Sequence, residues 1–269
     1  MKKRNSVSFI GVALLLASLF VMTGCGANTV SPGATEGTTP PAQSGNIIKI
    51  GTDPTFAPFE FKDEQDKLTG FDVDLMNAIG KDIGSTVKIE SSSFDGLIPS
   101  LQAGKYDAII AAMTITDDRS KNVLFSDKYL MATQYIATKK GSNIKTVEDL
   151  KGKKVGVQNA TTGQTVLEKL GMAPKKYDTV PDALTDLVNG GLDAVVADSP
   201  VVLYFIKQYP KSDVQYIKGD FPKEYYGIAF KLGNQVLDDK MNASLKKLRE
   251  NGKYNEIYKK WFNEDAPKL

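Results

Sequence analysis

Histidine is missing altogether from the 269 residues. Its absence removes the Ser-His-Asp triad and imidazole metal ligation. It also leaves no side chain that titrates near neutrality unless its surroundings shift it. Cysteine occurs once, at Cys25, so the chain makes no internal disulfide and no cysteine-rich zinc site. Neither sign of charge dominates: 34 Lys and Arg stand against 32 Asp and Glu, which gives nucleic-acid binding no support. Beyond residue 24 no apolar run approaches the roughly 20 residues of a membrane span. What is left is carboxylate and hydroxyl chemistry, or binding without chemistry. With 41% apolar and 25% charged residues, the composition is that of an ordinary globular protein of one or two domains.

The first residues carry an address. Met1-Lys2-Lys3-Arg4 is a positive head, followed by a mostly apolar stretch from Phe9 to Met22 and the small residues Thr23-Gly24 before Cys25. This is the pattern of a secretory signal, too short to span. With Cys25 in that place it resembles the lipobox of bacterial lipoproteins, although Met22 stands where leucine is usual. The resemblance implies acylation of Cys25 as the mature N-terminus, which would hold the protein at a membrane by lipid alone. The plainer alternative is an ordinary signal peptide with an incidental cysteine. Loss of residues 1–24 removes three basic side chains, and 34−3 = 31 against 32 leaves a net charge of −1. Gly26 to Asn46 has one charge, three prolines and no apolar periodicity, the composition of a tether with an r.m.s. span of about 25 Å.

From Ile47 onward the pattern alternates between strand and helix, with strands expected over 107–113 and 226–231 and helices over 94–102 and 253–262 among others, which predicts an α/β fold with mainly parallel sheets. Two short echoes run through it. Leu101-x-x-Gly104-x-x-Asp107-Ala108 returns as Leu187-x-x-Gly190-x-x-Asp193-Ala194, and Lys49-Ile50-Gly51-Thr52-Asp53 returns as Lys154-Val155-Gly156-Val157-Gln158. They predict two similar lobes whose strand ends face one another. Asp53, Ala112, Gln158 and Asp198 fall at such ends, where ligands bind in open α/β sheets.

Several motifs in order carry a family resemblance over 47–263. They are Gly51-Thr52-Asp53-Pro54-Thr55-Phe56-Ala57-Pro58-Phe59-Glu60, Gly70-Phe71-Asp72-Val73-Asp74-Leu75, Thr114-Ile115-Thr116-Asp117-Asp118-Arg119, Tyr226-Gly227-Ile228-Ala229-Phe230 and Tyr254-Asn255-Glu256-Ile257-Tyr258-Lys259-Lys260-Trp261-Phe262. Together they resemble the extracytoplasmic amino-acid-binding proteins of bacterial ABC importers (solute-binding proteins, family 3), close to the glutamine and basic-amino-acid binders. The resemblance implies a type II periplasmic-binding-protein fold. Lobe 1 would be residues 47–131 plus 225–269 and lobe 2 residues 132–224, hinged near Tyr129–Thr133 and Pro222–Tyr226. It implies an extracytoplasmic monomer that closes on a free amino acid and hands it to a permease, with no cofactor, metal or nucleic acid.

The site it implies can be argued chemically. Arg119 offers a planar fork for the ligand carboxylate, helped by the Thr114 hydroxyl and by backbone amides at Thr161-Thr162, ahead of a predicted helix. Asp198 would pair with the ammonium, with carbonyl help at Ala111 and Ala112; its other use would be to cap the helix that starts near Pro200. Phe56 and Phe94 match the aromatics that flank the ligand side chain, and aromatic faces suit an amide or a guanidinium alike. At the far end stand Asp53 and Gln158. One distal carboxylate favours glutamine, whereas the Gln158-Asn159-Ala160-Thr161-Thr162-Gly163-Gln164 segment looks more like arginine binders, so arginine, lysine or histidine is the alternative. Dehydratases on the same fold are the enzymatic rival. Trp261 and Tyr258 are expected in the core, and Asp72 with Asp74 at a solvated helix start.

Overall fold

The structure, a computed structural model, describes residues 46–269. The signal segment 1–24, the acylation site Cys25 and nearly all of the tether lie outside the described residues. Two five-stranded sheets organise the rest. The first runs in the order Thr86–Ser91, Ile47–Thr52, Ala108–Ile109, Ala229–Lys231, Val123–Phe125; the second runs Lys175–Tyr177, Val155–Gln158, Ala194–Asp198, Gln134–Lys139, Val214–Ile217. In each, the first three strands are parallel and the fourth is antiparallel to both neighbours. Two short antiparallel strands, Leu130–Ala132 and Glu224–Tyr226, carry the chain between the sheets.

The sequence echoes have a structural cause. Leu101 and Leu187 close the buried face of the helices Phe94–Gln102 and Val180–Val188. Gly104 and Gly190 follow at φ +79 and +84, the left-handed positions that end a helix. Asp107 and Asp193 then each accept a backbone N–H at the neighbouring strand, that of Lys49 within Ile47–Thr52 and that of Lys154 just ahead of Val155–Gln158, at 2.8 Å. One device therefore fixes the strand register in both lobes.

Several elements differ from expectation. A strand over 107–113 shrinks to Ala108–Ile109, because Ala112 turns at φ +44 and Gly227 donates to the Met113 carbonyl. A single strand over 226–231 splits at Gly227: Glu224–Tyr226 belongs to the link and Ala229–Lys231 to the first sheet. Gln134–Lys139 is an unforeseen strand next to the middle of the second sheet. Its inward residues include Gln134 and Thr138, both buried, so the polar pattern hides a core strand.

Asp72 corrects the reading of a solvated helix start. It lies in the first turn of Phe71–Asp82 and is fully buried, where it accepts the Ala112 N–H at 2.8 Å and the Tyr129 hydroxyl at 2.7 Å. Asp74 does sit at the surface side, bonded to Lys260 (2.6 Å) and to the Trp261 indole (2.7 Å). Tyr258 is buried against Phe71 and Phe262, and Trp261 packs half-buried on Phe61.

Candidate ligand-binding cleft

The ends of corresponding strands meet between the two sheets. Asp53, just past Ile47–Thr52, is 3% exposed and accepts from the Thr55 hydroxyl and from Gln158 Nε2, both at 2.8 Å. Gln158 ends Val155–Gln158, so this bond joins the lobes. Burial raises the Asp53 carboxyl above its ordinary range, and the two hydrogen bonds pull it back in part. Gln158 Nε2 also donates to the Asp178 carbonyl at 3.0 Å. Those two acceptors orient the amide, and Oε1 is left buried without a partner among the described residues.

Arg119 stands on the short helix Asp117–Ser120, capped by Thr116. Its guanidinium donates to the Thr114 carbonyl (2.8 Å) and across the cleft to the Ala160 carbonyl (3.0 Å), and it lies 5.2 Å from the Phe94 ring centre. Two of its five N–H groups are thereby used, and three remain for an anion. Burial lowers its pKa, while the charges of Asp198 and Glu224 raise it. Phe56 is buried and stacks on Phe59 at 6.2 Å, so part of its surface serves the core.

Asp198 ends Ala194–Asp198 and is buried. It accepts from Gln134 Nε2 at 2.5 Å and from the Tyr226 hydroxyl. Its side chain makes no cap bond to the helix Ser199–Gln208, so the capping alternative is not what the carboxylate does. Burial first, then the charge of Glu224, push its carboxyl up to about 7; Tyr226, Gln134 and Arg119 oppose the rise.

The threonines are placed at the cleft with a difference. Thr161 caps Thr162–Lys169 by accepting the Gln164 N–H and donates its hydroxyl to the Gln158 carbonyl at 2.8 Å. The Thr114 and Thr162 hydroxyls both donate to Glu224 Oε2 at 2.8 Å. Ala112 turns at φ +44 and gives its N–H to Asp72, and Ala111 before it is buried.

Glu224, Gln134 and Tyr226 escaped sequence reasoning. Lys223-Glu224 reads as a surface charge pair, yet residues 224 and 226 share one face of a strand and both are buried. The alternation was the available signal. On the other face, Lys128 lies over the Tyr225 ring at 3.8 Å. Asp198 and Glu224 thus share the charge of a single guanidinium, Arg119. Among the described residues no group of three or more His, Cys, Asp or Glu is arranged for a metal ion.

Residues 48–264 match the family described as bacterial extracellular solute-binding proteins, family 3. A probable histidine-binding protein of Neisseria gonorrhoeae is 35% identical over 268 residues, covering 97% of this chain and 98% of that one. Among solved structures, the arginine-, lysine-, histidine-binding protein of Geobacillus stearothermophilus is 44% identical at a TM-score of 0.80, covering 83% of this chain and 98% of that one. An ancestral arginine-binding protein bound to glutamine is 47% identical at 0.78, covering 81% and 99%. Two α/β lobes facing across such a cleft, with these matches, mean that the chain belongs to the bacterial extracellular solute-binding proteins of family 3 and has their type II periplasmic-binding-protein fold.

Proposed function

We propose that this substrate-binding protein of an amino acid ABC transporter captures an amino acid with a cationic side chain, arginine first. The observation that carries the choice is the hydrogen-bond inventory at the far end of the cleft. Asp53 offers carboxylate oxygens, Gln158 offers an unpartnered Oε1, and both amide hydrogens of Gln158 are taken by Asp53 and Asp178. An end built of acceptors suits a tip that only donates, and a guanidinium has five N–H groups and no acceptor. An amide tip would bring an oxygen that needs a donor.

The charge balance points the same way. Asp198 and Glu224 outnumber the single guanidinium whose charge they feel, Arg119, and a ligand of net +1 eases that imbalance where a neutral one does not. Glutamine, which the single distal carboxylate favours, is the second reading; the ancestral relative holds that ligand. Histidine, named for the Neisseria relative, belongs with the cationic class when protonated.

In this reading Arg119 and the first N–H groups of Thr162–Lys169 hold the ligand carboxylate, and Asp198 with the Ala112 carbonyl holds the ammonium. Phe56 and Phe94 flank the side chain. Closure is favoured because contacts to both lobes exist together only in the closed form. Bonds already crossing the cleft, Asp53–Gln158 and Arg119–Ala160, mark where the lobes meet. Asp53 and Asp198 both have uses in binding, which leaves neither of them free as the general acid a dehydratase needs. Acylated Cys25 would keep the protein, as a monomer, in the periplasmic space or on the outer face of the cytoplasmic membrane, beside its permease.

Thermal unfolding against the twenty amino acids tests this. A ligand at 100 times its Kd adds about 2.7 kcal/mol. Arginine and lysine should lead, and Arg119→Ala should lose the shift while still unfolding cooperatively. A shift led by glutamine would reverse the distal assignment, and no shift with any amino acid would end the ligand class.

A further inference from the structure

We propose that Glu224 is a specificity-determining residue of the cleft, its carboxylate standing beside Asp198 to receive the α-ammonium group of the bound amino acid. The inference deepens the amino-acid reading above and rests on it. Glu224 opens the strand that links the lobes and is 7% exposed, on the same strand face as Tyr226, whose hydroxyl holds Asp198. Two carboxylates buried side by side are costly unless donors and positive charge meet them.

The donors in place fall short. The Thr114 and Thr162 hydroxyls supply Glu224 Oε2, and Tyr226 supplies Asp198 Oδ2. Everything else falls to Gln134 Nε2. That nitrogen has two hydrogens, yet it lies within reach of four oxygens: Asp198 Oδ1 at 2.5 Å, Thr162 Oγ1 at 3.2 Å, and both oxygens of Glu224 at 3.4 Å. Two hydrogens cannot serve four acceptors. Glu224 Oε1 in particular has only the long contact to Gln134. Arg119, the cation whose charge reaches the pair, spends its observed bonds on the carbonyls of Thr114 and Ala160. A compact group with three N–H bonds and one positive charge matches what is missing, and an α-ammonium is that group.

A second consequence concerns the threonines. A hydroxyl has one hydrogen, and those of Thr114 and Thr162 go to Glu224. They therefore hold Glu224 in place, and the ligand carboxylate is left to Arg119 and backbone amides.

The test compares arginine with 5-guanidinopentanoate, the same acid without its α-amino group, by calorimetric titration of the full chain. The unsubstituted protein should prefer arginine strongly. In Glu224→Gln that preference should shrink about tenfold or more, because arginine loses affinity and the desamino acid does not. Thr114→Val with Thr162→Val is the second arm, since it keeps every charge and nearly every volume. If the hydroxyls hold Glu224, the preference falls here too. If they bind the ligand carboxylate, which both ligands share, both affinities fall together. Equal losses for the two ligands in both arms, or no loss in either, would overturn the role of Glu224 while leaving the amino-acid reading intact. Absence of binding by the unsubstituted protein to any amino acid would sink that reading itself.

Discussion

Asp198 sits where the largest electrostatic conflict in the cleft is concentrated, and its protonation should govern binding. Arg119 reaches it from the short helix at 117–120, and Glu224 and Tyr226 reach it from the linking strand. Its carboxyl is raised from an ordinary 3.8 to about 7. A raised acid binds its proton more tightly in the folded than in the unfolded state. Its stabilising contribution is therefore full below about pH 4 and is lost as pH climbs through 7. Ligand binding runs the other way, because an ammonium needs the ionised carboxylate. Amino-acid affinity should fall about tenfold per pH unit below 7, as the ionised fraction does, while the unliganded protein grows more stable with respect to this group. Titrations at pH 5, 6 and 8 check it; an affinity flat across that range would show that Asp198 is ionised throughout or does not meet the ligand.

At the scale of elements, the turns that carry functional groups are built by local devices. Gly70, at φ +136, brings the chain into the helix Phe71–Asp82 so closely that a Cβ there would lie 1.9 Å from the Phe59 carbonyl oxygen. That helix start delivers Asp72 beneath the turn at Ala112. Gly70→Ala should cost at least about 2 kcal/mol from backbone conformation alone, read as a lower urea midpoint. An unchanged midpoint would mean that this entry to the helix is not tightly held. The helices Phe94–Gln102 and Lys253–Phe262 were legible residue for residue, because their apolar spacing and their flanks agree. Strand ends bearing Asp53, Gln158 and Asp198 were legible through the echoed Leu-x-x-Gly-x-x-Asp and Lys-x-Gly patterns, in which Gly104 and Gly190 end a helix and Asp107 and Asp193 bind the backbone of Lys49 and Lys154. Gln134–Lys139 was not, since its buried Gln134 and Thr138 break the apolar alternation that announces a strand. Glu224 and Asp72 were hidden for a related reason: their partners, Thr114, Thr162, Ala112 and Tyr129, lie 40 or more positions away in the chain. Nothing local distinguishes a buried carboxylate with distant donors from a solvated one.

For the whole molecule, the two sheets repeat one strand order and present their strand ends to a common cleft. In the proposed reading each lobe alone carries an incomplete site. Asp53, Arg119 and the aromatics come from one side and Gln158, the 161–162 turn and Asp198 from the other, with Glu224 on the link between them. A ligand that completes all of these contacts at once stabilises the closed form by its differential affinity for it. In the proposed reading the far end of this cleft takes a cation because the free groups there only accept hydrogen bonds. The most direct measurement is calorimetric titration of arginine and glutamine into the protein and into Asp53→Asn. Arginine should bind the unsubstituted protein more tightly, and Asp53→Asn should lose that preference by about tenfold or more, the scale of a lost charge-assisted hydrogen bond. Tighter glutamine binding to the unsubstituted protein, or an arginine preference that survives the substitution, would contradict it.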